Sequence, residues 1–196
     1  MINAETRAQI INLINKEVVP AVGCTEPMAV ALCAAKAAEV LGCRPQKVRA
    51  QLSANILKNA MGVGIPGTGM IGLPIAIALG TLIGKSEYQL EVIKDLTPET
   101  LEEGKAFINE QRITILRKSN IEEKLYIEVE SSTETSKATV IISCAHTNIV
   151  YVEKDGNVLL DNRTTRSEAC EQKDISLDLK MVYDFATTAP VGEIDF

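Results

Sequence analysis

The sequence predicts an α+β fold: a mostly helical body carrying an inserted antiparallel β-sheet and helix subdomain. Three observations point there. Before residue 85 the chain holds Ala- and Ile-rich segments with helical periodicity and clear start and stop signals. Between residues 112 and 160 it turns to short β-branched runs separated by turn residues. The 196 residues, 46% hydrophobic and 23% charged, have the ordinary make-up of a globular chain able to bury a sizeable core.

Ala4 to Lys16 reads as an amphipathic helix, with Ile10, Ile11, Leu13 and Ile14 on its apolar side and Pro20 closing it. Thr25-Glu26-Pro27 is a helix start, with Thr25 as cap and Pro27 in the first turn; the helix runs to about Leu41 and stops at Gly42. It is Ala-rich and nearly uncharged, so it packs on most sides. Lys47 to Ser53 alternates like a short strand, a helical reading staying open, and Ile56 to Met61 reads as a short helix.

From Asn59 to Gly84 there is no charged residue, a length that reaches across a bilayer. Its first part is a Gly- and Pro-rich loop. Only Met70 to Ile83 is helical, too short to span, so a buried core helix is expected. Thr97 opens a further helix to about Glu110, with acidic residues in its first turn. Strands follow at Arg112 to Arg117, Leu125 to Ser131, Ala138 to Ala145 and Ile149 to Glu153; Asp155-Gly156-Asn157 is a hairpin turn into Val158 to Leu160. Ser176 to Thr187 begins another helix. The expected division is a helical part over 1–85, an α+β insert over 86–165 and a return segment over 166–196. The two apolar segments, after Cys24 and over Gly62 to Gly84, are expected to seek a surface outside the chain, which makes a homo-oligomer the expected state.

A net charge of −6 without a basic cluster argues against nucleic acid or an anionic membrane surface as partner. The absence of Trp and the 4% aromatic content leave no base-stacking platform. Five irregularly spaced cysteines and an N-terminus without a basic-then-apolar leader read as a reducing, cytoplasmic protein.

Cys24 is the first chemical candidate. A thiolate ligates metals or attacks electrophiles, and a helix N-terminus lowers a thiol pKa; the bland alternative is a buried core cysteine. Cys33 falls mid-helix and reads as core, Cys43 follows the helix stop, and Cys144 sits in a strand pattern. With Cys170 they form no C-x2-C pair, so an independent zinc site is not supported. Ser53, Asn55, Lys58 and Asn59 make a polar cluster ahead of the Gly loop. Amides and hydroxyls there suit an amino-acid carboxylate, and Lys58 suits a charge partner or base; as ordinary residues the two Asn are caps or turns. The Gly62 to Gly69 loop lacks a Gly-Lys-Ser or Gly-Lys-Thr ending, which excludes a Walker A motif. Its Gly67 and Thr68 instead suit backbone donation to a carboxylate. His146, the only histidine, is either a structural residue or a group that orients substrate and moves a proton. Glu26 either holds an ammonium or only favours the helix N-terminus.

Three stretches, in order, carry a resemblance: Glu17-Val-Val-Pro-Ala-Val-Gly-Cys-Thr-Glu-Pro-Met-Ala-Val-Ala31, Ser53-Ala-Asn-Ile-Leu-Lys-Asn59 with the Gly loop to Pro74, and His146-Thr-Asn-Ile-Val150. The chain resembles the L-cysteine desulfidase family, also called UPF0597, a relative of the iron–sulfur L-serine dehydratase alpha chain. The resemblance runs along the whole chain but covers only the N-terminal part of the longer family members. It implies a lyase acting on L-cysteine, giving pyruvate, ammonia and sulfide, or on L-serine. It implies a 4Fe-4S cluster on three cysteines whose fourth iron meets the substrate. Cys24 matches one ligand, and the other two fall in a family segment to which nothing here corresponds. The chain alone is therefore expected to lack the cluster, and the rival expectation is a non-catalytic relative that binds a small amino acid or a partner chain. By the same resemblance Lys58 and His146 are the catalytic candidates, and Thr25, Glu26, Ser53, Asn55, Asn59, Gly67 and Thr68 the substrate-binding ones; Cys24, Thr25, Glu26, Ser53, Asn55, Asn59, Thr68 and His146 are expected around one cavity.

Overall fold

Asn3 caps the first helix, α1 (Ala4–Glu17), by accepting from the Thr6 N–H at 2.7 Å. The second, α2 (Thr25–Leu41), has Cys24 at its N-cap and ends where Gly42 turns left-handed at φ 80°. Thr25 is thus the first helical residue and not the cap the sequence suggests. Pro27 does fall in the first turn, where its missing N–H costs no hydrogen bond. The computed structural model describes residues 2–163 and 175–194, so Cys170 and the beginning of the expected return segment lie outside the described residues.

Strand β1 (Lys47–Leu52) leads through Ser53 into α3 (Ala54–Ala60). The Gly-rich segment is a small antiparallel ribbon, β2 (Gly64–Ile65) with β3 (Met70–Ile71), and the helix after it, α4 (Leu73–Ile83), starts later than the apolar pattern suggests. Gly72, at φ 84°, separates the two, and a Cβ there would meet the Met61 carbonyl oxygen at 2.7 Å. A 3-10 turn over Ser86–Glu91 precedes α5 (Pro98–Asn109), whose start carries a reciprocal capping box between Thr97 and Thr100. Strands β4 (Ile113–Arg117), β5 (Tyr126–Ser132), β6 (Lys137–Ser143), β7 (Ile149–Lys154) and β8 (Asn157–Asp161) follow, and Asp178 caps α6 (Leu179–Thr188).

The fold is α+β, but the sheet is mixed. Its order is β4-β1-β5-β6-β7-β8, with β1 parallel to β4 and every other pair antiparallel. The sheet therefore recruits a strand from before residue 85 into its interior. The alternation of Lys47 to Ser53 marks a strand but carries no signal for its partners, which lie more than 60 residues away. Asp155 and Gly156, at φ 51° and 83°, form the two-residue turn between β7 and β8; both central residues of such a turn need positive φ.

Contacts divide the chain into a unit over residues 21–166 and a smaller one over 1–20 with 167–196. In the larger unit α2 packs on β5 and β6 on one side and on α4 on the other, while α5 covers α4. Met28 to Ala35 are wholly buried, as are Ile75 to Leu79. The two apolar segments thus cover each other within this chain, a correction to the expectation that they need an outside surface. Small residues make this possible: a Cβ on Gly80 would fall 2.3 Å from the Ala31 carbonyl oxygen, and one on Gly84 would fall 2.6 Å from the Ala35 Cβ. On the other face of the sheet Tyr126, Ile141, Val150 and Tyr151 form a second apolar cluster. Beside it the half-buried Glu128 accepts from Lys118 at 2.7 Å, Gln51 at 2.8 Å and the Tyr126 hydroxyl. In the smaller unit Ile10 and Phe185 are buried, and Arg7 bonds Glu193 at 2.8 Å while lying over the Phe185 ring.

Gly80→Ala tests the helix contact. An interior helical Gly→Ala change ordinarily gains about 0.5–1 kcal/mol. Here overpacking against the Ala31 backbone reverses the sign, and a loss of roughly 2 kcal/mol or more is expected in urea unfolding. Gly62→Ala, with nothing within 4 Å of its Cβ position, stays within about 0.5 kcal/mol of the parent.

Candidate functional site

The first turn of α2 emerges half-buried at one end of the sheet. Chain geometry gathers three donors there on a single carboxylate. Cys24 Sγ donates to Glu26 Oε2 at 3.0 Å and Thr25 Oγ1 to the same oxygen at 3.2 Å. From α3, Asn59 Nδ2 donates to Glu26 Oε1 at 3.2 Å. Asn59 reaches Glu26 because Ser53 fixes the start of α3: its hydroxyl accepts from the Ile56 N–H at 3.3 Å and donates to the Lys124 carbonyl at 2.7 Å. Ser53 is 2% exposed and fully engaged, so it positions the site and does not face a ligand.

The electrostatics of the trio follow from this. The Cys24 hydrogen bond, with those of Asn59 and Thr25, holds the Glu26 carboxyl below its ordinary range against the effect of burial. Burial first, and then the Glu26 carboxylate, push the Cys24 thiol up, while the Thr25 and Glu26 N–H groups pull weakly the other way. This corrects the expectation of a thiol activated by the helix start. The sulfur points at a carboxylate instead of capping the backbone, since the N-cap side chain makes no capping bond.

The Gly loop abuts this helix start. A Cβ on Gly23, at φ 87°, would lie 2.8 Å from Pro66 Cγ, so only glycine allows the contact. Ile65 to Thr68 form a turn closed by the Thr68 N–H to the Ile65 carbonyl at 3.2 Å, with Gly67 at φ 76°. The Thr68 hydroxyl donates to the Ile65 carbonyl at 2.7 Å and accepts from the Met70 N–H at 2.9 Å. It is a fastener inside the ribbon. Gly67 and Gly69 are exposed, and their N–H groups meet no protein acceptor among the described residues. Behind the loop a mainly apolar cavity of about 460 Å³ is lined by Val22, Pro66, Gly67, Leu96 and Leu101. Nothing in the motif pattern announces it, because the stretch from Ile93 to Leu96 that lines it with the start of α5 is too short to show periodicity.

Asn55 and Lys58 stand exposed on α3 without a hydrogen-bond partner among the described residues. His146 lies half-buried in the turn between β6 and β7. That turn is at the sheet end occupied by Ser53: the Ser53 N–H donates to the Tyr126 carbonyl at 2.9 Å and the Cys144 N–H to the Leu125 carbonyl at 3.3 Å. No hydrogen bond joins His146 to Cys24, Glu26 or Asn59. Of the other cysteines, Cys33 is buried, with Sγ 3.3 Å from the Val140 carbonyl oxygen, and burial drives its thiol far up. Cys43 is exposed. Among the described residues no three His, Cys, Asp or Glu side chains gather to hold a metal ion, and no helix is long and apolar enough to cross a membrane.

Over all 196 residues the chain is 63% identical to a UPF0597 protein of Phocaeicola vulgatus and 61% identical to one of Bacteroides thetaiotaomicron. Over its whole length the chain is similar to proteins of the UPF0597 family. A UPF0597 protein of Aeromonas hydrophila is 41% identical over 189 residues. The chain covers 46% of the first two relatives, and so spans about half the length of the curated relatives it matches. No protein-family model matches it, and no solved structure does.

The Cys24–Glu26 pair gives stability a pH signature. Glu26 titrates lower in the folded chain than its ordinary 4.5, so its contribution is present above that pH and is lost as pH falls through the depressed value. Cys24 titrates higher than its ordinary 9.0, so its contribution is present below that pH and is lost as pH rises through the raised value. In urea unfolding as a function of pH, Glu26→Gln is expected to flatten the acid limb and Cys24→Ala the alkaline limb. Glu26→Gln also moves the pH midpoint of Cys24 alkylation downward. An unmoved midpoint would show that the carboxylate does not act on the thiol.

Proposed function

We propose that this chain supplies the Cys24-bearing portion of an amino-acid lyase of the L-cysteine desulfidase type, which converts L-cysteine to pyruvate, ammonia and sulfide. The observation that carries the reading is the Glu26 carboxylate, on which Cys24, Thr25 and Asn59 from two separate segments converge. Chemistry at an α-amino acid needs an anion for the ammonium, donors for the carboxylate and a group near the β-substituent. Glu26 serves the ammonium. The N–H groups of Gly67 and Gly69, which meet no protein acceptor among the described residues, serve the carboxylate. Asn59 keeps the Glu26 carboxylate turned toward the helix start.

Among the described residues no three thiols gather that would hold a 4Fe-4S cluster. Cys24 is the one thiol beside Glu26, Cys33 is sealed in the core, and Cys43 is exposed beyond the opposite end of α2. In this reading any further ligands belong to the part of the relatives' length that the chain does not span. That same incomplete donor set favours a second reading, in which the isolated chain binds a small amino acid without turning it over. Lys58 and His146 remain proposals for proton transfer, since both carry a titratable nitrogen at this end of the sheet. L-Serine is the alternative substrate, its hydroxyl standing where the thiol would.

The test uses a full-length UPF0597 relative and follows pyruvate release from L-cysteine and L-serine. Cys24→Ala is expected to abolish turnover. Asn59→Ala is expected to raise KM by about tenfold with a smaller change in kcat, the mark of lost ground-state binding. A Cys24→Ala protein that turns over normally would remove the assignment.

A further inference from the structure

We propose that the ribbon of β2 and β3 is a docking surface, and that its occupant is an apolar segment from the part of the UPF0597 polypeptide that this chain does not span. The segment's backbone rests on Gly62 and Gly64, flanked by Met61 and Ile71. The proposal does not rest on the lyase reading, since it concerns what covers this face and not what reacts beside it.

Gly62 and Gly64 have no reason to be glycine within the chain itself. Gly69 and Gly72, at φ 64° and 84°, need glycine for their backbone conformation, but Gly62 and Gly64 do not take a positive φ. Their own surroundings do not demand it either. A Cβ on each would meet no atom within 4 Å among the described residues. Gly64 even sits in a strand, where glycine loses entropy and packs no side chain. The pairing of β2 with β3 runs in register, so no bulge accounts for it. A glycine in a strand without bulge or bend marks the close approach of another backbone or a ligand.

The flanking side chains choose between those two. Met61 is 64% and Ile71 66% exposed. They adjoin the glycines: Ile71 pairs with Gly64, and the Gly72 N–H donates to the Val63 carbonyl at 2.8 Å. No charged residue occurs anywhere from Asn59 to Gly84. Bare apolar side chains around side-chain-free backbone suit an apolar protein segment and not a charged small molecule.

The size of the patch selects the occupant. A free association of two chains takes roughly 20–30 residues a side, and the ribbon falls well short of that. A segment of the same polypeptide needs far less, because its tether keeps its effective concentration high. The relatives carry that extra length: this chain covers 46% of the Phocaeicola vulgatus protein.

The experiment compares the 196-residue chain with the full-length Phocaeicola vulgatus relative. Ile71→Cys is made in the chain and at the aligned position of the relative. Leu159→Cys, at a 63% exposed position on β8, is the control in both. Maleimide labelling is followed by peptide mapping, which separates the new thiol from the native ones. Each variant is checked for unchanged far-UV circular dichroism. Position 71 is expected to react about tenfold slower in the relative than in the chain, while position 159 reacts within about twofold in the two. Adding Gly64→Leu brings position 71 of the relative to within about threefold of the chain's rate and leaves the chain's own rate unchanged. Equal rates at position 71 would overturn the proposal, as would equal slowing at position 159. Slowing that survives Gly64→Leu would overturn the close backbone approach. A rate at position 71 that falls as the isolated chain is concentrated would give the face to a second copy and overturn the proposed occupant.

Discussion

Close contact between α2 and α4 sets the position of nearly everything else in the larger unit. Two helical backbones approach this far only where Cβ atoms are absent or small, and Gly80 and Gly84 against Ala31 and Ala35 provide that. With α2 pinned on one side by α4 and on the other by Ile127, Val129, Val140 and Ile142 of the sheet, neither its rotation nor its axial register is free. Its first turn is therefore delivered to a fixed place, and Cys24, Thr25 and Glu26 with it. The site is a product of packing several turns away.

At that place one carboxylate does the organising. Glu26 accepts from a thiol, a hydroxyl and an amide, and each of these donors belongs to a different kind of local structure: an N-cap, a first helical residue and the last turn of α3. A partly exposed carboxylate with three donors is charged and ordered at neutral pH, while the thiol beside it stays protonated. A ligand that brings its own ammonium or metal must compete with the thiol for the same oxygens. This links occupancy of Glu26 to the ionisation of Cys24.

The sequence made the α+β class readable because helical and strand periodicities occupy different stretches, and it placed α2, α5 and the β7–β8 turn closely through Gly42, Thr97 and Asp155-Gly156. It did not reveal that β1 sits inside the sheet beside β4. Strand pairing over long separations depends on tertiary packing, which a short alternating run does not encode. The Gly-rich stretch read as a loop because glycine lacks strand propensity, yet a two-residue ribbon forms there once Thr68 fastens the turn. Around the site, Cys24, Glu26 and Asn59 were legible as chemistry-bearing side chains near helix ends. Thr68 and Ser53 looked alike in the sequence, but their hydroxyls are consumed by backbone groups, and only three-dimensional bonding separates a fastener from a free donor.

The parallel pairing of β1 with β4 also governs the order in which the chain can assemble. When Leu52 leaves the ribosome, both neighbours of β1 are still unsynthesised, and on the order of 60 residues must follow before β4 begins. At about 5–20 residues per second that interval is roughly 3–12 s, long against helix formation and collapse. Through that time β1 has both edges bare, next to an apolar α2 that lacks its sheet. The helical layer of α2, α4 and α5 is complete first, and the nascent chain waits for β4 and β5 to arrive on either side of a strand already in place. A holdase that shields an unpaired strand during translation would find its natural client in this stretch.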